Sequence, residues 1–231
     1  MKKTILTVFA AVCAFTASAQ FSEPNKPSFG IKAGVNFASV SVTQQGSSAN
    51  YGSGTLTSFS AGAFAELPIG TNFSIQPGLY YSGKGYNVKA NFNLGEDFNV
   101  SAEETVKLSY IQLPLPLLYN ASNSAGKFFF GAGPYAAAAI KAKGKASGVI
   151  DIDLGEEQMS GSDENEQDLT IGKNGDVKRL DYGVTGLVGF RLNNGLLISA
   201  NYDLGLANIY NTDDTQKMKT RTIGVSLGFS F

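Results

Sequence analysis

Three groups of residues in this 231-residue chain have the types and spacing to do chemistry. The first is acidic. Between Gly148 and Asp176 lie Asp151, Asp153, Glu156, Glu157, Asp163, Glu164, Glu166, Asp168 and Asp176, against Lys173 alone. Clustered carboxylates bind Ca²⁺, which takes roughly six to eight oxygens. No stretch has the D-x-[DN]-x-[DN]-G spacing of a calcium loop, so a solvated acidic loop is the plainer expectation. Asp151, Asp153, Glu156, Glu157, Asp163 and Glu164 stay as a weak cation candidate, bridging to lipopolysaccharide.

The second group is Gly131-Ala132-Gly133-Pro134-Tyr135-Ala136 after Phe128-Phe129-Phe130, a strand followed by G-x-G-x-x-A. Asp151 or Asp153 stands where a dinucleotide fold keeps its ribose-binding acid. That chemistry needs a helix whose free N–H groups hold a pyrophosphate. The would-be helix carries Gly144 and Gly148, so a small-residue strand is expected instead. The third group is a set of isolated charges: Lys32, Glu66, Lys84, Asp181, Arg191 and Asp203.

The elements that must position these groups follow from alternation. Thr222 to Phe231 alternates without a slip: Ile223, Val225, Leu227, Phe229 and Phe231 on one side, Thr, Gly and Ser on the other. A period of two is a β-strand with one apolar and one small-polar face. Seven more segments follow the same rule: Ser28 to Val42, Thr55 to Leu67, Asn72 to Asn87, Thr105 to Tyr119, Lys127 to Lys141, Val177 to Leu192 and Gly195 to Ile209. The breaks alternate in length. Those after Leu67, Tyr119 and Leu192 are short, the last with an Asn194-Gly195 hairpin signal. Those at Thr43 to Gly54, Val88 to Glu104, Ala142 to Asp176 and Tyr210 to Lys217 are longer. The pattern predicts an all-β, eight-stranded antiparallel up-and-down transmembrane β-barrel with short periplasmic turns and four longer external loops.

Pro77, Pro114, Pro116 and Pro134 fall inside three of these segments. Proline cannot donate to a ladder, so a bulge or irregular wall is expected around Leu113-Pro114-Leu115-Pro116-Leu117. In the barrel register the six isolated charges face inward, where they form a plug of ion pairs or a gate in a narrow ion path. Lys32 starts the first strand upward and Glu66 ends the second downward, so the two are expected at one depth, with Arg191 near that level. Tyr81, Tyr86, Tyr110, Tyr119, Phe190 and Tyr210 sit near strand ends, as in interfacial aromatic girdles.

Composition excludes much else. The amino terminus has a basic start, an apolar run from Ile5 to Phe15 and Ala17-Ser18-Ala19, the form of a secretory signal peptide ending at residue 19. Residues 20–27 form a short lead-in and 28–231 the barrel domain. The single Cys, Cys13, lies in the signal segment, and the chain has no His and no Trp. Disulfides, histidine-ligated metals, serine–histidine triads and imidazole bases are therefore excluded from the mature chain. The formal charge of −1 becomes about −3 without Lys2 and Lys3, so nothing points to nucleic acid. No cofactor is expected.

Gly30-Ile31-Lys32-Ala33-Gly34-Val35-Asn36-Phe37, Gln76-Pro77-Gly78-Leu79-Tyr80-Tyr81-Ser82, Leu113-Pro114-Leu115-Pro116-Leu117-Leu118-Tyr119 and Gly131-Ala132-Gly133-Pro134-Tyr135, in this order, resemble the PorT-type outer-membrane β-barrel family. The resemblance spans the mature chain. It implies an eight-stranded barrel of the OmpA/OmpX kind that tolerates proline in its strands. It also implies a carboxy-terminal signal, here Leu227, Phe229 and Phe231, read by the outer-membrane assembly machinery. Pro116 and the acidic loop depart from the family pattern, and no residue here carries over a role in secretion.

The reading is a non-enzymatic barrel of a Gram-negative outer membrane, in contact with lipid and with an unknown extracellular partner of its loops. A soluble barrel enclosing a small apolar ligand is the main alternative. It would turn every large apolar face inward and overfill so small an interior. A narrow ion pore or an accessory of a secretion assembly are the others.

Overall fold

The computed structural model describes residues 26–44, 54–93, 98–153, 158–173, 175–210 and 216–231, with side chains at 42–44, 89–101, 149–163 and 211–216 outside that description. The signal segment and most of the lead-in therefore lie outside the described residues. The strands are β1 (Ser28–Gln44), β2 (Leu56–Pro68), β3 (Phe73–Ile75), β4 (Gly78–Asn93), β5 (Phe98–Pro114), β6 (Leu117–Asn123), β7 (Gly126–Asp153), β8 (Gln158–Asp168), β9 (Leu180–Leu192), β10 (Leu196–Gly205) and β11 (Gln216–Ser230).

Every ladder between them is antiparallel, and the order β1-β11-β10-β9-β7-β5-β4-β2 returns to β1, closing a ring through eight strands. Closure removes the free edges that an open sheet would expose. It is made by the chain ends: Phe29 and Phe231 exchange both backbone hydrogen bonds, at 3.1 and 2.8 Å. Both termini of the barrel thus lie at one end, the terminal end; the opposite end is the distal end.

Two expected strands are each split by proline. Asn72 to Asn87 divides at Gln76-Pro77 into β3 and β4, and Thr105 to Tyr119 divides at Leu115-Pro116 into β5 and β6. The gaps adjoin, and the ladder is stitched across them by carbonyls. Ala65 N–H donates to Pro77 O (2.9 Å), Gln76 N–H to Pro116 O (3.0 Å) and Leu115 N–H to Pro134 O (2.9 Å). Pro134 itself stays within β7, opposite Val184.

The larger correction concerns two expected loops. Val88 to Glu104 and Ala142 to Asp176 are largely strand. β4, β5, β7 and β8 continue past the ring as a distal sheet. The transition is a bulge: Ser109 pairs with Lys141 but Tyr110 with Ala139, leaving Ile140 as the extra residue. Below it β7 pairs with β9, up to Ala138 opposite Leu180. Above it β7 pairs with β8, from Lys143 opposite Asp168. A bulge inverts the side-chain phase, so the outward positions of β7 change from even (Phe130, Ile140) to odd (Lys143, Lys145).

The two faces separate by polarity. Ile31, Phe59, Phe130, Ile198, Leu227 and Phe229 point outward, from 44% to 61% exposed. Asn36, Ser82, Gln112, Thr185, Ser199 and Ser226 point inward and are buried. An apolar band on the outside and a polar interior reverse the layout of a soluble core. The register therefore overturns the ligand-enclosing alternative. Aromatic pairs mark the rims of the band, with Phe73 against Tyr119 near the terminal end and Phe59 stacked on Tyr81 towards the distal end.

Candidate functional site: the layered lumen

Alternation sends every second side chain of eight strands into a narrow interior, and small residues elsewhere leave room for a few large polar ones. Gly131 and Gly133 lie in the wall of β7, where an added Cβ would stand 1.9 and 2.2 Å from the carbonyl oxygens of Leu117 and Leu115. These glycines, the core of the G-x-G-x-x-A motif, allow close strand approach. No helix follows them, so the pyrophosphate reading has no structural basis.

At the terminal end Glu66 is the hub. It accepts from Arg191 Nη1 at 2.9 Å, with Lys127 Nζ at 3.6 Å. Ser74 Oγ lies 3.3 Å from its Oε1 and accepts from Asn120 Nδ2 at 2.8 Å. Arg191 Nη1 also reaches Ser28 (3.3 Å) and Ser230 (3.0 Å), tying β9 to both strands of the closure. Lys32 is not in this layer. It pairs on β2 with Gly62, whereas Glu66 stands opposite Ser28. The strand stagger that barrel closure imposes puts Lys32 four residues higher.

The middle layer centres on Asp203, whose carboxylate accepts from Thr185 (2.7 Å), Gln112 (2.9 Å) and Asn201 (3.1 Å). Lys32 Nζ sits 4.9 Å from the centre of the Tyr80 ring, a cation–π contact. A cavity of about 40 Å³ opens here, lined by Lys32, Asn36, Gln76, Gln112, Asn201 and Asp203 among others. It has room for about three waters. The buried Oε1 of Gln112 faces this layer with no hydrogen-bond partner among the described residues.

The distal layer is a buried ion pair. Lys84 Nζ lies 3.1 Å from Asp181 Oδ2, both side chains wholly covered. Tyr135 (3.3 Å) and Thr220 (3.1 Å) donate to the same oxygen. The ammonium lies 4.3 Å from the Tyr135 ring centre and 5.4 Å from that of Tyr110. Above it Val106, Leu108, Ala142, Val177 and Ile209 form an apolar cap. An ion pair under such a cap is held by geometry, because its desolvation is costly and must be offset by hydrogen bonds.

The six expected charges thus divide into three layers: Glu66 with Arg191, Asp203 with Lys32 nearby, and Lys84 with Asp181. Sequence reasoning missed Lys127, Gln112, Thr185, Tyr135 and Thr220. Lys127 shares the inward phase of Phe129 and Tyr135 in β7 and was legible by that phase. The neutral donors were not, because Gln and Thr carry no sign of burial.

Leu227 and Phe229 of the carboxy-terminal segment lie on the outer face, and Phe231 completes the ring through its backbone. In the acidic segment Glu164 pairs with Lys145 (2.7 Å) and Glu166 with Lys143. Glu156 and Glu157 and the side chains of Asp151, Asp153 and Asp163 lie outside the described residues. Among the described residues no three potential ligands converge on a metal.

Residues 18–211 match the family model for the outer membrane protein beta-barrel domain. Solved structures similar to this chain include Ail of Yersinia pestis, at 12% identity over 88% of this chain and 99% of that one, TM-score 0.32. Neisserial surface protein A is similar at 15% identity over 89% and 97%, TM-score 0.32. CarO of Acinetobacter baumannii is similar at 8% identity over 91% and 100%, TM-score 0.37. The curated proteins contain no match. The chain belongs to the outer membrane protein beta-barrel domain family and resides in the outer membrane of a Gram-negative bacterium.

Proposed function

We propose that this outer-membrane barrel is non-enzymatic and closed to ions, and that it acts through its distal sheet and loops. One observation carries the reading: the lumen is crossed by three successive bonded layers, headed by Glu66, Asp203 and Asp181. The side chains spent on these layers fill the lumen at three depths, and each of their carboxylates is held by a cation or by hydrogen-bond donors. The long β4, β5, β7 and β8 extensions supply surface on a rigid scaffold, where recognition is usually carried.

In this reading the terminal end faces the periplasm and the distal sheet faces outward, as an even strand count with short turns at the terminal end favours. Cleavage after Ala19 precedes insertion, and Leu227, Phe229 and Phe231 are the segment the assembly machinery engages. The order of the four proline- and glycine-containing motifs supports a place among the PorT-type barrels, with no residue that transfers a secretion role.

Two experiments test this. Planar bilayers holding the purified barrel show no discrete ion steps; steady steps in the wild-type protein would sink the closed-lumen reading. With Cys13 removed in processing, a Lys173→Cys variant gives a unique thiol at the distal end. It is labelled on intact cells by a membrane-impermeant maleimide. Labelling only after the outer membrane is opened would reverse the orientation.

A further inference from the structure

On the outward face, just above the apolar band, the distal sheet carries a ladder of lysines. Lys107 of β5 stands directly opposite Lys143 of β7, and Lys141 is one inward–outward step nearer the band, opposite Ser109. Like charges placed opposite in a sheet destabilise it unless something neutralises them. The acidic strand β8 does so for the upper part only. Glu166 stands opposite Lys145 but pairs with Lys143, and Glu164 stands opposite Ser147 but pairs with Lys145. Each carboxylate reaches one step toward the band. Asp168 stands opposite Lys143 and Glu166 lies within electrostatic reach of Lys107, yet neither closes an ion pair at the foot of the ladder: Lys107 and Lys141 are exposed with no ion-pair partner among the described residues.

That foot lies at the rim of the lipid-facing surface. Ile140, at the bulge, is 54% exposed directly below it. Tyr81 marks the same height, stacked on Phe59 with its hydroxyl 2.8 Å from Ser109 Oγ. The amphipathic ring of a tyrosine favours the headgroup level of a membrane. The basic foot is therefore continuous with the lipid interface and displaced from it by one residue pair.

We propose that Lys107 and Lys141, with Lys143 behind them, hold the phosphate groups of an anionic glycolipid in the outer leaflet. Lipid chains cover Ile140 and its neighbours, while the anionic headgroup neutralises the two lysines that form no ion pair with β8. The inference rests on the orientation proposed above.

The test uses the folded, detergent-solubilised barrel and bis-phosphorylated lipid A as the probe, with bound lipid read by native mass spectrometry. Folding is checked by the heat-dependent shift in gel migration. Wild type retains lipid A, and the Lys107→Gln/Lys141→Gln variant retains it about thirty-fold less, the effect of two basic groups beside an anionic surface. Lys107→Arg/Lys141→Arg keeps retention, and Lys173→Gln leaves it unchanged. Dephosphorylated lipid A binds as weakly to wild type as intact lipid A does to the double Gln variant, and inorganic phosphate does not compete. Equal retention by the double Gln variant, or by the dephosphorylated lipid, overturns the proposal. Competition by free phosphate at the same site would replace the lipid by a soluble anion. Thiol labelling only after the outer membrane is opened would place these lysines on the periplasmic side and overturn the glycolipid assignment together with the orientation, whereas lost retention with normal labelling would overturn the lipid site alone.

Discussion

Arg191 of β9 and Glu66 of β2 meet across the lumen at 2.9 Å, and the same guanidinium reaches Ser28 and Ser230 on the two strands that close the ring. One ion pair therefore braces the place where the chain's first and last strands join.

Replacing Glu66 by Gln leaves Arg191 and Lys127 facing each other without a carboxylate. Breaking a fully buried pair costs roughly 3–5 kcal/mol. Arg191 and Lys127 keep 14% and 33% of their side chains exposed, which lowers the expected loss to about 2 kcal/mol. Urea unfolding in lipid vesicles, followed by gel migration, measures it. No loss would mean that water at the terminal end already solvates these cations.

Asp181→Asn strands the wholly covered Lys84 ammonium and is expected to cost more, about 3–5 kcal/mol. Lys84→Met/Asp181→Leu removes both charges and should recover most of that loss in the same unfolding assay. If the double variant is as unstable as the single one, the pair's hydrogen bonds to Tyr135 and Thr220 matter more than its charge.

The distal sheet responds to pH at both ends of the scale. Its hydrogen bond from Lys143 holds the Glu166 carboxyl below its ordinary range, and the Thr170 amide and hydroxyl do the same for Asp176. Depressed carboxyls stabilise above their unfolded values and lose that contribution as pH falls through the folded ones. Lys143 and Lys145 are raised by their Glu partners, and their contribution is lost as pH rises through the raised values. Amide exchange at β8, corrected for intrinsic rates, should be slowest from about pH 5 to pH 10 and faster on either side. A flat profile would detach the ladder from the order of β8.

Gly195 has φ +90°, and a Cβ there would lie 2.4 Å from the carbonyl oxygen of Ser230. Gly195→Ala strains both the turn and the terminal strand, at a cost of about 1–3 kcal/mol. Folding yield into vesicles, read by the gel shift, falls accordingly. Gly70→Ala, where an added Cβ meets nothing within 4 Å, serves as the tolerant control.

Much of the molecule was legible in the sequence because a strand's side chains alternate whatever its neighbours do. The phase of Ile223 to Phe231, and of Leu196 to Tyr202, was enough to assign the outward and inward faces. It also placed Lys32, Glu66, Lys84, Asp181, Arg191 and Asp203 inside. Proline's missing N–H was enough to foresee trouble around Pro116. What phase could not supply is depth. The partners of an inward charge depend on the stagger between strands, which is a property of the closed ring and of no single segment. So Glu66 found Arg191 and Lys127, and Lys32 was carried to the level of Tyr80 and Gln112. The bulge at Ile140 was equally hidden, since one extra residue reverses the phase of β7 without a mark in composition. Only tertiary pairing decided that Ala142 to Asp168 is largely strand, because its alternation of lysine and acid is recognisable once β7 and β8 lie side by side and the charges can be seen to match.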